Sequence, residues 1–230
     1  MISLKSGLKK ILGPAPVSGP SGVDGIAVLL NRFCDEIELF NPAYGLVSVK
    51  DRDELVVKHI LDSLAPVVTI ERLVNAGFSR CPRIADVGSG AGLPGIPLAI
   101  ALPGVSVSLI ERMGRRAGFL RNTQAVLTLP NVEVLETGME KAPAGIADIV
   151  CFRAFRPLTP KILKHLFRIL KKGACIAAYK GRMDSINTEM SPLSAFLKQQ
   201  NLEWEALPCP VPFLNEERHL LLIRPSAPLP

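Results

Sequence analysis

The sequence predicts an α/β domain built on a mostly parallel sheet with helices on both faces. Three observations predict it. Short apolar runs and helix-period segments alternate from Arg83 onward, a pattern that gives parallel strands covered on both sides. A glycine-crowded turn, Gly88-Ser89-Gly90-Ala91-Gly92, follows the first of these strands and leads into a helix. An acid, Glu111, closes the next apolar run, where it can accept hydrogen bonds from both hydroxyls of a ribose.

The elements follow in order. Gly13–Gly22, rich in Gly, Pro and Ser, reads as a linker, so residues 1–22 are expected to be a flexible segment. From Asp24, a capping residue, Ile26, Leu30, Phe33, Ile37 and Phe40 recur at helix spacing, and Asn41–Tyr44 is expected to break the helix. A second helix starts near Asp53 and carries Leu55, Val56, His59, Ile60 and Leu64. Pro66 interrupts it, and Ile70–Ala76 adds a short third helix. Residues 23–80 thus form an N-terminal helical extension beside a domain of 81–230, and 23–224 form one globular unit.

Within that domain the strands are expected at Arg83–Val87, Val105–Ile110, Val132–Leu135, Ala147–Cys151 and Ala174–Tyr179. Helices are expected at Gly95–Ala101, Arg115–Leu127, Thr159–Leu170 and within Pro192–Gln200. Glu205–Leu207 and His219–Ile223 read as a closing antiparallel pair, which makes seven strands. Pro225–Pro230 reads as a frayed end.

The glycine turn has two readings. Gly90, Gly92 and Gly95 match the dinucleotide pattern GxGxxG, while Asp86-Val87-Gly88-Ser89-Gly90-Ala91-Gly92 matches the DxGxGxG loop of S-adenosylmethionine enzymes. The strand most naturally ends at Val87, about eighty residues precede the motif, and there is no Tyr-x-x-x-Lys pair for hydride transfer. These points favour S-adenosyl-L-methionine. Unpaired N–H groups at the start of the following helix are expected to hold a polar part of the cofactor.

Composition narrows the class. The chain has 230 residues, 48% of them hydrophobic, so it can bury a sizeable core. Its net charge of +6 points to a polyanionic partner. Aromatics at 5% argue against an extended base-stacking platform. The five cysteines form no C-x-x-C, which fits a reducing cytoplasm and offers no zinc site; no metal is expected. No apolar run reaches membrane-spanning length and no signal-peptide pattern is present, so a cytoplasmic protein is expected.

Six ordered segments then carry a resemblance: LVSVKDRDELVVKHILDSLAP, IADVGSGAGLPGIPLAI, LIERMGRRAGFLRNT, DIVCFRAFRPL, AYKGR and ERHLLLIR, which together cover most of Leu46–Arg224. The chain resembles the bacterial small-subunit ribosomal RNA guanine-N7 methyltransferases, the glucose-inhibited division protein B family. The resemblance implies a class I, Rossmann-like methyltransferase fold, S-adenosyl-L-methionine as donor, and a guanine in the 530 loop of 16S rRNA as target. The substrate particle would be 16S rRNA or a small ribosomal subunit precursor. By position, Gly88 and Leu93 would touch the cofactor, Met139 and Glu140 would flank its adenine, and Arg153 would lie beside it. Ser89, Gly90 and Glu111 join this set from the loop itself. Relatives often carry Asp where Glu111 stands.

Chemistry agrees with the resemblance. Guanine N7 has a lone pair and no proton, so methyl transfer to it needs alignment and exclusion of water rather than a general base. The stretch Phe152-Arg153-Ala154-Phe155-Arg156-Pro157 departs from the Asn/Asp-Pro-Pro-aromatic motif of amino methylation. Cys209 lies after the fifth strand, the wrong place for a cytosine-C5 nucleophile. No catalytic residue is therefore expected, and His59, Arg153 and Lys180 are positioning candidates. His59, Arg153, Arg156, Lys180 and Arg182 are the candidate RNA contacts, with Lys180 facing phosphate. Arg218 and His219 read as a charged turn. Lys161, Lys164, Arg168 and Lys171 form a helix stripe whose default reading is a solvated face. Two alternatives stay open: a methyltransferase acting on another RNA or a small molecule, and an RNA-binding relative without turnover.

Overall fold

The computed structural model describes residues 3–13, 22–76, 81–154 and 156–226. Seven strands form one sheet: β1 (Arg83–Val87), β2 (Ser106–Glu111), β3 (Val132–Glu136), β4 (Ala147–Arg153), β5 (Leu170–Lys180), β6 (Leu202–Pro208) and β7 (His219–Pro225). Their order is β3-β2-β1-β4-β5-β7-β6, and β7 runs antiparallel to both its neighbours. The chain's progress across the sheet reverses between β1 and β4, which opens a crevice at the carboxyl ends of those strands.

Strand alternation explains the two cores. Ile84, Leu109, Ile149, Cys151 and Ala177 face one way. Ala85, Val87, Ile110, Val150, Phe152, Ile176 and Ala178 face the other. The second face is covered by α8 (Pro160–Ile169), α9 (Met183–Met190) and α10 (Ser194–Gln199). The first is covered by α6 (Gly95–Ala101), α7 (Gly114–Leu127) and the N-terminal helices, in one continuous apolar cluster.

Those N-terminal helices correct several expectations. Residues 4–12 are not a free segment: α1 (Leu4–Leu12) is capped by Ser3 and buries Leu4, Gly7 and Leu8. Lys9 and Lys10 sit in its last turn, where they suit the helix dipole. Residues 14–21, the centre of the expected linker, lie outside the described residues, as do 77–80 and 227–230. Next, α2 (Gly22–Tyr44) runs on through Pro42 instead of breaking at Asn41. Phe40 explains the continuation, because its ring packs on Tyr44 at 5.5 Å and on Phe119 at 5.6 Å. Gly45, at φ +58°, then ends the helix.

The helix expected near Asp53 is composite. Asp51 caps α3 (Arg52–Leu55), which passes into a π-helical stretch, Val56–Leu61, and a last turn, α4 (Asp62–Leu64). After Pro66 comes α5 (Val67–Asn75). The helix α1 packs on the π stretch through Gly7, where a Cβ would meet the Leu61 side chain at 2.5 Å. On the far side of the sheet, α9 fills a stretch assigned no structure from sequence, anchored by buried Ile186 and Met190. No helix among the described residues is long and apolar enough to cross a membrane.

Candidate functional site

The glycine turn is held by its own backbone. Gly88 N donates to Ile110 O at 2.8 Å and Gly92 N to Ser89 O at 2.7 Å, which pins the loop to the end of β2. Gly88, Gly90 and Gly92 have φ of +73°, +57° and +82°, a region that only glycine enters without strain. A side chain at Gly92 would strike Ile96, whereas a Cβ at Gly90 would meet only ordinary contacts, Gly88 O at 3.8 Å and the Arg116 guanidinium at 3.9 Å.

The start of α6 is not the anion cradle expected from sequence. Gly95 N donates to Asp86 Oδ2 at 2.9 Å, Ile96 N to Gly92 O, and Leu93 N to Ser89 O. Pro94 and Pro97 carry no N–H at all. Asp86 is buried, and its Oδ1 has no hydrogen-bond partner. Burial raises its pKa to about 7, against the opposing pull of the Gly95 N–H.

Glu111 lies across the crevice at the end of β2 and is buried. Its Oε2 accepts from Gly90 N at 2.9 Å and its Oε1 from Met113 N at 2.8 Å. The carboxylate thus braces the glycine loop, and each oxygen keeps a lone pair for a further donor. Met139, after β3, is buried and Glu140 is exposed. Their carbonyls accept from Arg168 NH2 at 3.0 and 3.1 Å. The expected basic helix stripe is shorter than read from sequence, because Lys171 lies in β5 and not on α8: Arg168, on α8, holds that loop, and Lys171 pairs with buried Asp148 at 2.8 Å.

A second group gathers at the carboxyl ends of β4 and β5. Arg153 NH1 donates to Asp62 Oδ2 at 2.8 Å and to Lys58 O at 2.9 Å, and its NH2 meets His59 Nδ1 at 2.8 Å. Arg218 Nε donates to the other Asp62 oxygen at 3.1 Å. Arg218 is thus not the solvated turn residue expected from sequence, and His219 Nδ1 lies 2.7 Å from Gly181 O. The strand register aligns these groups, pairing Arg153 with Tyr179 and Lys180 with His219. The Lys58 carbonyl in the π stretch accepts from Arg153, and the His59 carbonyl accepts from the Ser63 hydroxyl at 2.6 Å as well as from the Asp62 N–H. Together these residues line a cavity of about 400 Å³, bordered also by Pro66, Tyr179, Gly181 and Cys209.

Three groups of the cavity are poorly placed to take a proton near neutral pH. Burial, and next the charge of Arg153, bring the His59 pKa down to about 4. Burial pushes the Cys209 thiol up to about 11 and the Tyr179 phenol higher than its usual value. Tyr179 spends its hydroxyl proton on Ser63 O at 2.8 Å. Lys180, expected to face phosphate, is enclosed: Nζ lies 2.7 and 2.9 Å from the two Glu189 oxygens, and Glu189 also accepts from Leu158 N. Arg156 and Arg182 are exposed nearby. Sequence reading missed Asp62 and Glu189. Asp62 had one signal, its place one helical turn after His59; Glu189 had none.

The family described as rRNA small subunit methyltransferase G matches residues 27–220. A ribosomal RNA small subunit methyltransferase G from Treponema denticola is 39% identical, with 86% of each chain covered. The protein of the same name from Salmonella agona is 34% identical, covering 94% of this chain and 96% of its own. Among solved structures, a SAM-dependent methyltransferase from Aquifex aeolicus superimposes with a TM-score of 0.55 at 17% identity, covering 84% of this chain and 98% of that one. A precorrin-6y C5,15-methyltransferase from Geobacter metallireducens gives a TM-score of 0.52 at 16% identity, covering 71% and 89%. These two structural likenesses establish the fold.

Proposed function

The chain belongs to the rRNA small subunit methyltransferase G family, and from that premise we propose that it moves a methyl group from S-adenosyl-L-methionine to N7 of a guanine in the 530 loop of 16S rRNA. The observation that carries the reading is the pair of sites flanking the strand-order reversal. A glycine-lined crevice with an acid at its rim adjoins a polar cavity in which His59 is a weak base and Tyr179 and Cys209 keep their protons. That pairing suits an acceptor atom which brings its own lone pair and loses no proton. The substrate particle would be 16S rRNA or a small-subunit precursor, in keeping with the net charge of +6.

The cofactor fits the residues present. Near Gly90 a Cβ would meet no contact closer than 3.8 Å, so a ligand can approach the backbone there, and the spare lone pairs of Glu111 match a ribose diol. Gly88, Ser89, Gly90, Leu93 and Glu111 would hold it, with Met139 and Glu140 at the adenine end. When bound, it supplies an electrophilic methyl group on a sulfonium. The protein's own task is to align the acceptor with that methyl and to keep water out.

Mass spectrometry of 16S rRNA nucleosides, with primer extension through the 530 loop, tests the reading in cells with the gene intact or deleted. Loss of one N7-methylguanine at that loop is expected, and an unchanged modification pattern would overturn the assignment. Two variants probe the parts. Glu111→Ala should weaken S-adenosylmethionine binding by roughly 1–3 kcal/mol, the scale for losing hydrogen bonds to a charged group. Titration calorimetry checks it, and equal affinity would remove Glu111 from the site. Cys209→Ala should leave the methylation rate unchanged in single-turnover assays, because the thiol stays protonated.

A further inference from the structure

The His59 ring has a fixed tautomer. A guanidinium can only donate, so Arg153 NH2 at 2.8 Å makes Nδ1 the acceptor and leaves the ring proton on Nε2. Among the described residues, that Nε2–H meets no partner. Three further constraints hold the ring. The helix beneath it is the π stretch, braced by α1 through Gly7. Arg153 is itself fixed by Asp62 and by the Lys58 carbonyl. The Ser63 hydroxyl closes on the His59 carbonyl. His59 thus presents one oriented, uncommitted N–H donor in the wall of a cavity that Asp62, Arg153, Tyr179, Arg218 and His219 also line.

We infer that His59 is a specificity-determining residue, whose Nε2–H reads O6 of the target guanine while leaving N7 free for the incoming methyl. The inference rests on the guanine-N7 reading above. Guanine presents two adjacent acceptors, N7 and O6, on its major-groove edge. Adenine keeps N7 but sets an amino donor where O6 stands, so two N–H groups would meet at His59. One histidine donor therefore separates two purines whose N7 atoms are alike. A cavity of about 400 Å³ is in the range that takes a small ligand.

A neutral donor also suits the reaction. Methylation at N7 makes the purine ring cationic, and an imidazolium beside O6 would oppose that charge. Burial and Arg153 keep the ring unprotonated, with its pKa at about 4. The groups acting on it are Arg153 and Lys58, which disfavour the imidazolium, and Glu54, which favours it. Asp62, bonded to both Arg153 and Arg218, offsets part of the cationic field that would otherwise meet the methylated base.

The experiment is single-turnover methylation of small-subunit particles rebuilt with ligated 16S rRNA. The target position carries guanine, inosine or 2-aminopurine. Inosine keeps N7 and O6, whereas 2-aminopurine keeps N7 and the 2-amino group but lacks O6. The wild-type enzyme should methylate 2-aminopurine about tenfold more slowly than guanine, the scale of one lost hydrogen bond, and should accept inosine.

His59→Ala should slow guanine and inosine alike and bring the guanine to 2-aminopurine ratio towards one. His59→Gln, which puts an amide N–H near the position of Nε2, should restore much of that ratio. His59→Asn, whose amide ends near Nδ1, should not. The ratio of ratios cancels the intrinsic difference in N7 nucleophilicity between the bases. Should His59→Ala fold poorly, the Gln and Asn variants carry the same comparison. An unchanged guanine to 2-aminopurine ratio in His59→Ala and His59→Asn would overturn the assignment. Absence of N7-methylguanine with the wild-type enzyme would instead overturn the underlying guanine-N7 reading.

Discussion

Asp62→Ala is expected to destabilise the protein by about 3 kcal/mol and to slow methylation. Both carboxylate oxygens are committed, one to Arg153 and one to Arg218, and the Asp62 side chain is only 8% exposed. Removing one member of a buried ionic cluster leaves the remaining charges desolvated and unpaired, which costs more than the pair itself contributed. The cost is held near the lower end of that range because Arg153 retains the Lys58 carbonyl and Arg218 the Glu217 carbonyl. For a chain of this length, about 3 kcal/mol corresponds to a fall in Tm of roughly 6–12 °C. Urea unfolding and thermal melts measure it. Methylation should slow by about tenfold, the scale of one lost hydrogen bond, even where the variant is folded, since Arg153 would no longer fix the His59 ring. Wild-type-like melting together with wild-type-like turnover would show that the carboxylate does not organise the cavity.

The difference between what was legible in the sequence and what was not follows from contact range. Arg83–Val87 and Gly95–Ala101 could be bounded to the residue, because an apolar strand, a glycine turn and a helix follow in unbroken succession. The closing antiparallel pair was legible from two short segments near the end of the chain, although β6 and β7 run somewhat longer than Glu205–Leu207 and His219–Ile223. The helix α1 was hidden by the Pro and Ser residues after it; its burial depends on Gly7 meeting Leu61, a contact that no local pattern encodes. The site divides in the same way. The glycine loop and Glu111 are close in sequence and were found together. Asp62 lies 91 residues from Arg153 and 156 from Arg218, so its role appears only when β4 and β7 bring both arginines to one sheet edge. Lys180 was correctly placed at that edge, but its partner Glu189 sits on α9, an element the sequence reading had not found.

The helix start after the glycine turn was misread for a related reason. Expecting free N–H groups there assumes that nothing nearby accepts them. Asp86, nine residues before Gly95, folds back beneath the loop and takes the first one. The loop is therefore pre-organised by the protein itself. Its readiness for a ligand depends on a carboxylate that has been withdrawn from water.

That withdrawal predicts the pH response of stability. Asp86 has a folded-state pKa of about 7 against an ordinary value of 3.8. Between those values the folded chain holds a proton that the unfolded chain releases, so stability falls as pH rises from about 4 through about 7. Below pH 4 both states are protonated and the contribution is fully present; above pH 8 both are ionised and the burial cost is felt in full. A gap of this size corresponds to about 4 kcal/mol. Asp86→Asn should remove that dependence. Its carbonyl can still accept from Gly95 N, and its amide N–H replaces an oxygen that has no partner now, much as the protonated acid would. The variant should therefore exceed the wild type by about 2 kcal/mol near pH 5 and by about 4 kcal/mol at pH 8.5. Guanidinium unfolding of both proteins at the two pH values isolates the Asp86 contribution from that of the other carboxylates, which the pair shares. A difference in stability that does not change with pH would mean that Asp86 is ionised and satisfied in the folded protein, and the glycine loop would then need another account of what holds it.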